Sequence, residues 1–348
     1  MPEGITVTLI VFVLVALIFD FLNGFHDSSN IVSTMISSRA LAPRTALTLT
    51  AICEFIGPFV FGVAVAHTIG DEVLARSVQT IPVVLAALSS AVLWNLLTWY
   101  FGIPSSSSHA LIGGLVGAGI TENLFISTFP DGFGMEDVPT LLEVIEPAGV
   151  IKVALALLIS PVLGFVTGFI ALKVIRFLAR GARPRINIFF KKAQVVTAIG
   201  LALSHGTNDA QKTMGVITLG LVTLGFLPGF KVPLWVVALS AGAIAAGTAI
   251  GGWRLIRTLG GKFYKIRPVH GFDTQISAAA VIFGASVMGG PVSTTQVVSS
   301  AIMGAGSAER ISKVRWGVGK QIAMTWIITF PATAVVGGLL LVAVRSWV

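Results

Sequence analysis

The sequence predicts an all-α polytopic membrane protein built from two inverted-topology repeats, with broken helices and serine-rich re-entrant or hairpin segments. Three observations carry this: long apolar runs, polar motifs that recur in order at a near-constant offset, and basic loops that mark one face. Of 348 residues, 55% are apolar and 11% charged, where a soluble domain carries about a quarter charged residues. A helical span needs roughly 20 mostly apolar residues. Runs at 5–19, 45–66, 81–101, 151–172, 193–227, 232–253, 271–288 and 321–344 supply candidates. They are continuous, unlike the ten-residue alternating segments of a β-barrel. The first lacks a basic n-region and a cleavage site, so it reads as a retained span. The single Cys53 excludes an intrachain disulfide and a multi-cysteine metal site.

The net charge of +8 could suit nucleic acid in a soluble protein. Here the basic residues fall between spans and set orientation instead. Arg39 and Arg44 follow the first span. Segment 173–192 holds seven Lys and Arg with no acid, and 254–267 holds five. Segment 121–146 holds Glu122, Asp131, Glu136, Asp137, Glu143 and Glu146 with no Lys or Arg. The positive-inside rule places the basic loops in the cytoplasm. The N-terminus and the acidic loop are then outside, in a plasma (inner) membrane.

GFHDSSN at 24–30 resembles GTNDAQK at 206–212, an offset of 182. PSSSSH at 104–109 resembles PVSTTQ at 291–296, an offset of 187, and both then reach Gly-Ala-Gly at that same offset. The chain is therefore an internal duplication, 1–185 and 186–348, forming one integrated membrane domain. The first copy starts outside and the second inside, which makes the copies inverted. Such repeats are common in secondary transporters, with substrate near the midplane between them.

Asp20, Asn23, His26, Asp27 and Asn30 lie in or beside the first span. A carboxylate in hydrocarbon costs roughly 2.5–3.5 kcal/mol on insertion scales. It needs a polar cavity, a counter-ion or a proton. Gly24 and the asparagines would permit a helix broken near Asp27, whose freed carbonyls bind cations. The second copy offers His205, Asn208, Asp209, Gln211 and Lys212. An interhelical clamp such as Asp27 with Lys212 is the plainer alternative. Two symmetric copies favour a paired binding site.

The serines come next. Residues 104–108 read as a turn and the N-terminus of a helix reaching Gly114, and 291–295 read alike. A helix N-terminus presents free N–H groups and a positive dipole end, which suits an anion. Hydroxyls add donors without charge. Two such ends facing each other would surround a tetrahedral oxyanion. Serines also glue membrane helices together, but four in a row, matched by Ser293, Thr294 and Thr295, favour the site. An anion beside buried Asp27 and Asp209 meets strong repulsion. The two coexist only through an intervening cation or proton, and oxygen donors suit hard cations such as Na+. His26, His109 and His205 either tune proton coupling or make neutral hydrogen bonds. Lys212 could neutralise an aspartate or touch the anion. Glu54, inside the second span, either pairs internally or faces the cavity.

NGFHDSSNIVSTMISSRAL, GIPSSSSHALIGGLVGAG, LSHGTNDAQKTMGVITLGL and GGPVSTTQVVSSAIMGAG resemble the paired signatures of the PiT inorganic phosphate transporters, in their prokaryotic branch. The resemblance covers nearly the whole chain. It implies phosphate symport driven by Na+ or H+, in some members with divalent metal carried with the phosphate, and often a homodimer. By motif match, Ser105, Ser106, Ser107, Ser108, Ser293, Thr294 and Thr295 would line the phosphate. Asn23, Asp27, Asn30, Asn208 and Asp209 would bind the cation or shape the site. Gln296 stands where the family usually has His, which weakens a proton role there. The central hydrophilic loop of many relatives shrinks here to about 176–192. A carrier of another tetrahedral oxyanion such as sulfate and an anion channel remain as alternatives. The sulfate branch lacks the paired aspartates, and a channel needs no cation stoichiometry. No Walker pattern, nucleophile elbow or HExxH points to an enzyme.

Overall fold

The computed structural model describes residues 3–128 and 144–345, so Asp131, Glu136, Asp137 and Glu143 of the acidic loop lie outside the described residues. Among the described residues the chain forms twelve α-helices and two single 3-10 turns. The first copy supplies α1 (Glu3–Ser37), α2 (Pro43–Phe61), α3 (Ala64–Asp71), α4 (Ile81–Phe101), α5 (Ser107–Thr128) and α6 (Pro147–Leu178). The second supplies α7 (Ile186–Thr223), α8 (Leu234–Ile250), α9 (Trp253–Gly261), α10 (Pro268–Val287), α11 (Thr294–Glu309) and α12 (Trp316–Arg345). The order is the same in both: a long helix, a broken helix, a hairpin, a long helix.

Among the described residues six helices are long and apolar enough to cross a membrane, or up to seven if the bent pair α8–α9 counts as one span. In each copy the long helices and the broken helix make three traverses. The hairpin adds none if it returns midway and two if it crosses fully. The total is odd either way, so the second copy starts on the opposite face, which inverts it. The outer helices α6 and α12 expose Leu158, Val162, Ile327 and Leu339. Water would penalise such faces and hydrocarbon accepts them.

The copies interlock. Helix α1 packs on α8 and α7 on α2; α6 packs on α11 and α12 on α5. Glycines set the closest crossings. A Cβ on Gly24 would lie 2.1 Å from the Ile244 carbonyl oxygen, and one on Gly206 would lie 2.4 Å from that of Glu54. Both glycines therefore serve close approach, and α1 and α7 run unbroken through them. This corrects the expected break near Asp27.

The breaks fall in the neighbouring helices. Gly62 (φ 83°) ends α2 and Gly251 (φ 77°) ends α8, a left-handed region that favours glycine, and the chain bends by 70° between α8 and α9. Each break exposes backbone N–H groups that need partners in a membrane. Gln211 Oε1 accepts from Val65 N at 2.7 Å and Ala66 N at 3.2 Å, while Gln211 Nε2 donates to the Gly62 carbonyl at 2.6 Å. Ser28 Oγ accepts from Gly252 N at 2.9 Å. Helix α11 is buried on every side over 294–308, as is α7 over 204–221. The centre of the protein is thus lined by the polar motifs and the apolar surface faces out.

Adding one methyl at the α1–α8 crossing forces a backbone shift, at a cost of about 1–3 kcal/mol. Gly24→Ala is expected to melt below the parent in detergent. Gly242→Ala, on α8 with nothing within 4 Å of its Cβ, is expected to melt with the parent. Equal melting of the two variants contradicts the crossing.

Candidate functional site

Two hairpin tips meet at the centre. Helix α4 ends at Gly102 (φ 64°) and α10 is followed by Gly289 (φ 70°), 187 residues later. These positive φ values turn each chain towards the next helix with little steric cost. The broken helices grip the tips of the opposite copy: Thr258 Oγ1 on α9 donates to the Gly102 carbonyl at 3.0 Å, and Thr68 Oγ1 on α3 donates to the Gly289 carbonyl at 2.8 Å. Ser106 Oγ caps α5 by accepting from His109 N at 3.2 Å, and Ser293 Oγ caps α11 by accepting from Gln296 N at 3.3 Å. Such caps stabilise by about 1 kcal/mol. Ser108 Oγ donates to the Val292 carbonyl at 3.0 Å and joins the tips. The helix expected to reach Gly114 runs on to Thr128.

The long helices bring the aspartates to these tips. Asp27 Oδ1 accepts from Thr295 Oγ1 at 2.9 Å and lies 2.9 Å from His26 Nδ1. Thr294 Oγ1 lies 3.3 Å from Asp27 Oδ2 and 3.0 Å from Asp209 Oδ2. It has one proton, so it donates to one carboxylate at a time. Lys212 Nζ pairs with Asp209 Oδ1 and donates to the Val292 carbonyl at 3.2 Å. Lys212 therefore clamps the aspartate of its own helix; the Asp27–Lys212 clamp does not form. His26 Nε2 lies 3.4 Å from Ser105 Oγ, itself 2.8 Å from Thr98 Oγ1. A continuous polar chain results. Ser105, His26, Asp27, Thr294, Asp209, Lys212, the Val292 carbonyl and Ser108 each touch the next.

Charge in this region is unbalanced. Asp20, Asp27, Glu54 and Asp209 are all buried, and Lys212 is the one buried Lys or Arg among the described residues. His205 sits between Glu54 Oε1 at 2.9 Å and Asp209 Oδ2 at 3.2 Å. Atoms of Asp27, His205 and Asp209 lie within 4.8 Å of one another, close enough to share a cation. The side-chain oxygens of Asn23, Asn30 and Asn208 are buried without a hydrogen-bond donor. Carboxylate and amide oxygens without donors suit a hard cation.

Every residue singled out from the two motif pairs lies buried in or around this region, except His109, which is half-buried. Asn30 Nδ2 donates to Thr295 Oγ1 at 3.0 Å. Asn208 Nδ2 reaches Ser286 Oγ at 2.9 Å and the Gly290 carbonyl at 3.3 Å, the second hairpin's answer to the His26 contacts. His109 Nδ1 lies 2.7 Å from Ser106 Oγ. Ser107 is buried, with no side-chain partner among the described residues. Sequence reasoning missed Thr98, Ser286 and the Val292 carbonyl. At the offset of 187, Thr98 falls against Ala285 and Ser286 against Trp99, so extending the repeat comparison marks neither. A backbone carbonyl leaves no signal in a sequence.

The profile of the phosphate transporter family matches residues 23–183 and again 178–337. The chain belongs to that family. The "Probable low-affinity inorganic phosphate transporter" of Bacillus subtilis (strain 168) is 41% identical over 334 residues, covering 95% of each chain. A protein of the same description from Rhizobium meliloti (strain 1021) is 42% identical over 327 residues, covering 93% of each. The "Low-affinity inorganic phosphate transporter PitA" of Escherichia coli (strain K12) is 31% identical over 225 residues, covering 58% of this chain and 43% of its own. A solved structure described as "The sodium-dependent phosphate transporter" shares the fold, with TM-score 0.84 over 98% of this chain and all of its own, at 21% identity. The family and these relatives are transporters, not enzymes, and the apolar helices of this chain fit a multi-pass membrane protein.

Removing Lys212 leaves the buried Asp209 uncompensated, which costs about 3–5 kcal/mol when one partner of a buried pair is lost. Lys212→Met is expected to lower the detergent melting temperature, and Lys212→Met with Asp209→Asn to recover most of the loss. A single variant that melts like the parent contradicts the pairing.

Proposed function

We propose that the protein is a secondary active symporter that carries inorganic phosphate together with Na+ or H+. The observation that carries this reading is the meeting of two hydroxyl-bearing helix N-termini beside carboxyl groups that outnumber their lysine. The first feature suits a tetrahedral oxyanion and the second demands positive charge. Ser105, Ser106, Ser107, Ser108, Ser293, Thr294 and Thr295 line the phosphate. Asn23, Asp27, Asn30, Asn208 and Asp209 hold the cation, while His26, His109, His205 and Lys212 tune the charge. The names of the bacterial relatives support phosphate as cargo. The sodium dependence in the description of the solved structure supports a cation partner. The basic loops face the cytoplasm and the N-terminus faces out of the plasma membrane, in keeping with the loop charges.

The threonines supply a physical route to coupling. Thr294 and Thr295 spend their protons on Asp27 and Asp209. A cation or proton on those carboxylates removes the need for that donation. The hydroxyls can then turn to the phosphate, and the cation cancels its repulsion from the aspartates. Empty or fully loaded states are favourable, and half-loaded states are not. That is the condition for symport.

The test is phosphate uptake into proteoliposomes under an inward Na+ gradient at constant pH, and under a H+ gradient without Na+. Accumulation above equilibrium under one gradient, lost on its collapse, is expected. Equilibration without accumulation under every gradient would identify a channel and sink the symporter. Asp27→Asn and Asp209→Asn are each expected to cut driven uptake by about tenfold or more, since a coupling term is typically worth 1–3 kcal/mol.

Thr294→Val keeps the shape but lacks the proton. It is expected to abolish the dependence of phosphate KM on the driving cation, and Thr294→Ser to retain it. Ser107→Ala disturbs no cap and is expected to raise phosphate KM severalfold, consistent with the loss of about 1 kcal/mol from one hydrogen bond, with no change in melting. Unchanged kinetics in both Thr294→Val and Ser107→Ala would count against the assigned phosphate site.

A further inference from the structure

The bases of the two hairpins are closed by related groups that differ in charge. Glu309 lies 187 residues after Glu122, as Arg267 does after Thr80. Thr80 and Arg267 cap α4 and α10. Thr80 Oγ1 donates to Glu122 Oε1 at 3.4 Å, and Arg267 pairs with Glu309 Oε1. At the first base, Arg345 at the end of α12 also engages Glu122, 2.6 Å away. At the second, Glu309 already has Arg267, Lys313 and His270, whose Nε2 lies 2.9 Å away.

More positive charge gathers beside that second base. A polar cleft of about 470 Å³ is lined by Arg176, Glu309, Arg310, Ser312 and Lys313. Arg176 stands in the last turn of α6 and Arg310 follows α11. Both are exposed, and neither has an acidic partner among the described residues. Arg176, Arg310, Lys313 and Arg267 thus share one carboxylate. Helix α6 has 32 residues, about 48 Å at 1.5 Å per residue, against a hydrocarbon thickness of about 30 Å. Arg176 near its end therefore sits at headgroup level.

An apolar groove of about 520 Å³ runs nearby, between α11 and the start of α12, lined by Met303, Trp316, Gly317, Gly319, Lys320 and Ala323. Trp316 ties groove to cleft. Its indole Nε1 donates to the Ile311 carbonyl at 3.0 Å, in the 3-10 turn that carries Ser312 and Lys313. An exposed Trp and Ile beside unpaired arginines is the pattern of a membrane interface.

We infer that this cleft and groove bind an anionic phospholipid, with its phosphate among Arg176, Arg310 and Lys313 and an acyl chain along the groove beside Trp316. Basic pockets between transmembrane helices hold lipid headgroups in this way. Free inorganic phosphate would satisfy the cations but leaves the adjoining groove without a role, so the lipid is the occupant the two features share. Lys313 serves both the cleft and Glu309, so the lipid is joined to the base of the hairpin that carries Ser293, Thr294 and Thr295. The site does not depend on what the protein transports.

Native mass spectrometry of the full chain, exchanged into equal phosphatidylglycerol and phosphatidylcholine of matched chains, tests this. The parent is expected to retain phosphatidylglycerol in preference. Arg176→Gln with Arg310→Gln is expected to weaken that preference by about thirtyfold, since each surface cation is worth about one kcal/mol towards an anionic lipid. Arg183→Gln with Arg185→Gln, in the neighbouring basic loop but outside the cleft, is expected to leave it unchanged. Gly317→Leu, which fills the groove and leaves every charge in place, is expected to weaken retention as well. Equal retention by the cleft and loop variants overturns the site. So does displacement of the lipid by millimolar inorganic phosphate, which would make free phosphate the ligand.

Discussion

Four buried carboxyl groups share one buried lysine at the centre of this protein, and most of its architecture answers to that imbalance. An unpaired buried charge costs several kcal/mol even after relaxation. Pairing Lys212 with Asp209 removes one such charge. His205, set between Glu54 and Asp209, and His26 beside Asp27 bring imidazole nitrogens against three of these carboxyl groups. The hydroxyls of Thr294 and Thr295 soften what is left. A centre balanced in this way admits a polyanion only together with positive charge.

The fold makes such a centre affordable by interlocking its halves. Glycine crossings bring α1 against α8 and α7 against α2 until backbones touch. The unbroken helices α1 and α7 then carry Asp27 and Asp209 to the hairpin tips. The broken helices hold those tips from the opposite copy through Thr68 and Thr258. The order of elements repeats while the chemistry does not. Where the first copy has Asn30 the second has Lys212, and where the first has His109 the second has Gln296. The duplicated scaffold thus gives two similar hydroxyl-bearing tips and an asymmetric distribution of charge between them.

Much of this was legible in the sequence. The duplication, its inversion, the helix starts behind Pro104 and Pro291, and the convergence of the paired motifs all follow from apolar length, motif offset, loop charge and capping chemistry. The location of the helix breaks was not. Gly24 and Gly206 resemble hinge glycines in sequence, yet they serve helix contact, and a glycine's need for space on one side depends on a partner helix far along the chain. Gly62 and Gly251 are the break points; the Gly252 that follows marks the second, while nothing beside Gly62 sets it apart. The choice of Lys212 partner was also open, because Asp209 on its own helix and Asp27 across the interface are equally plausible until the side-chain geometry is known. The surplus of cations at the second hairpin base read as a simple orientation signal, since the cleft and groove that give it shape come from three helices.

The central claim is that the buried carboxylates and the anionic cargo tolerate each other only through a positive partner. Equilibrium dialysis of radiolabelled phosphate against the purified protein measures this directly, across a Na+ series at fixed pH and a pH series without Na+. Phosphate affinity should rise by about tenfold or more with one of the two cations, and phosphate should tighten that cation's binding by the same factor, as linkage requires. A phosphate affinity that stays the same across both series would contradict the account.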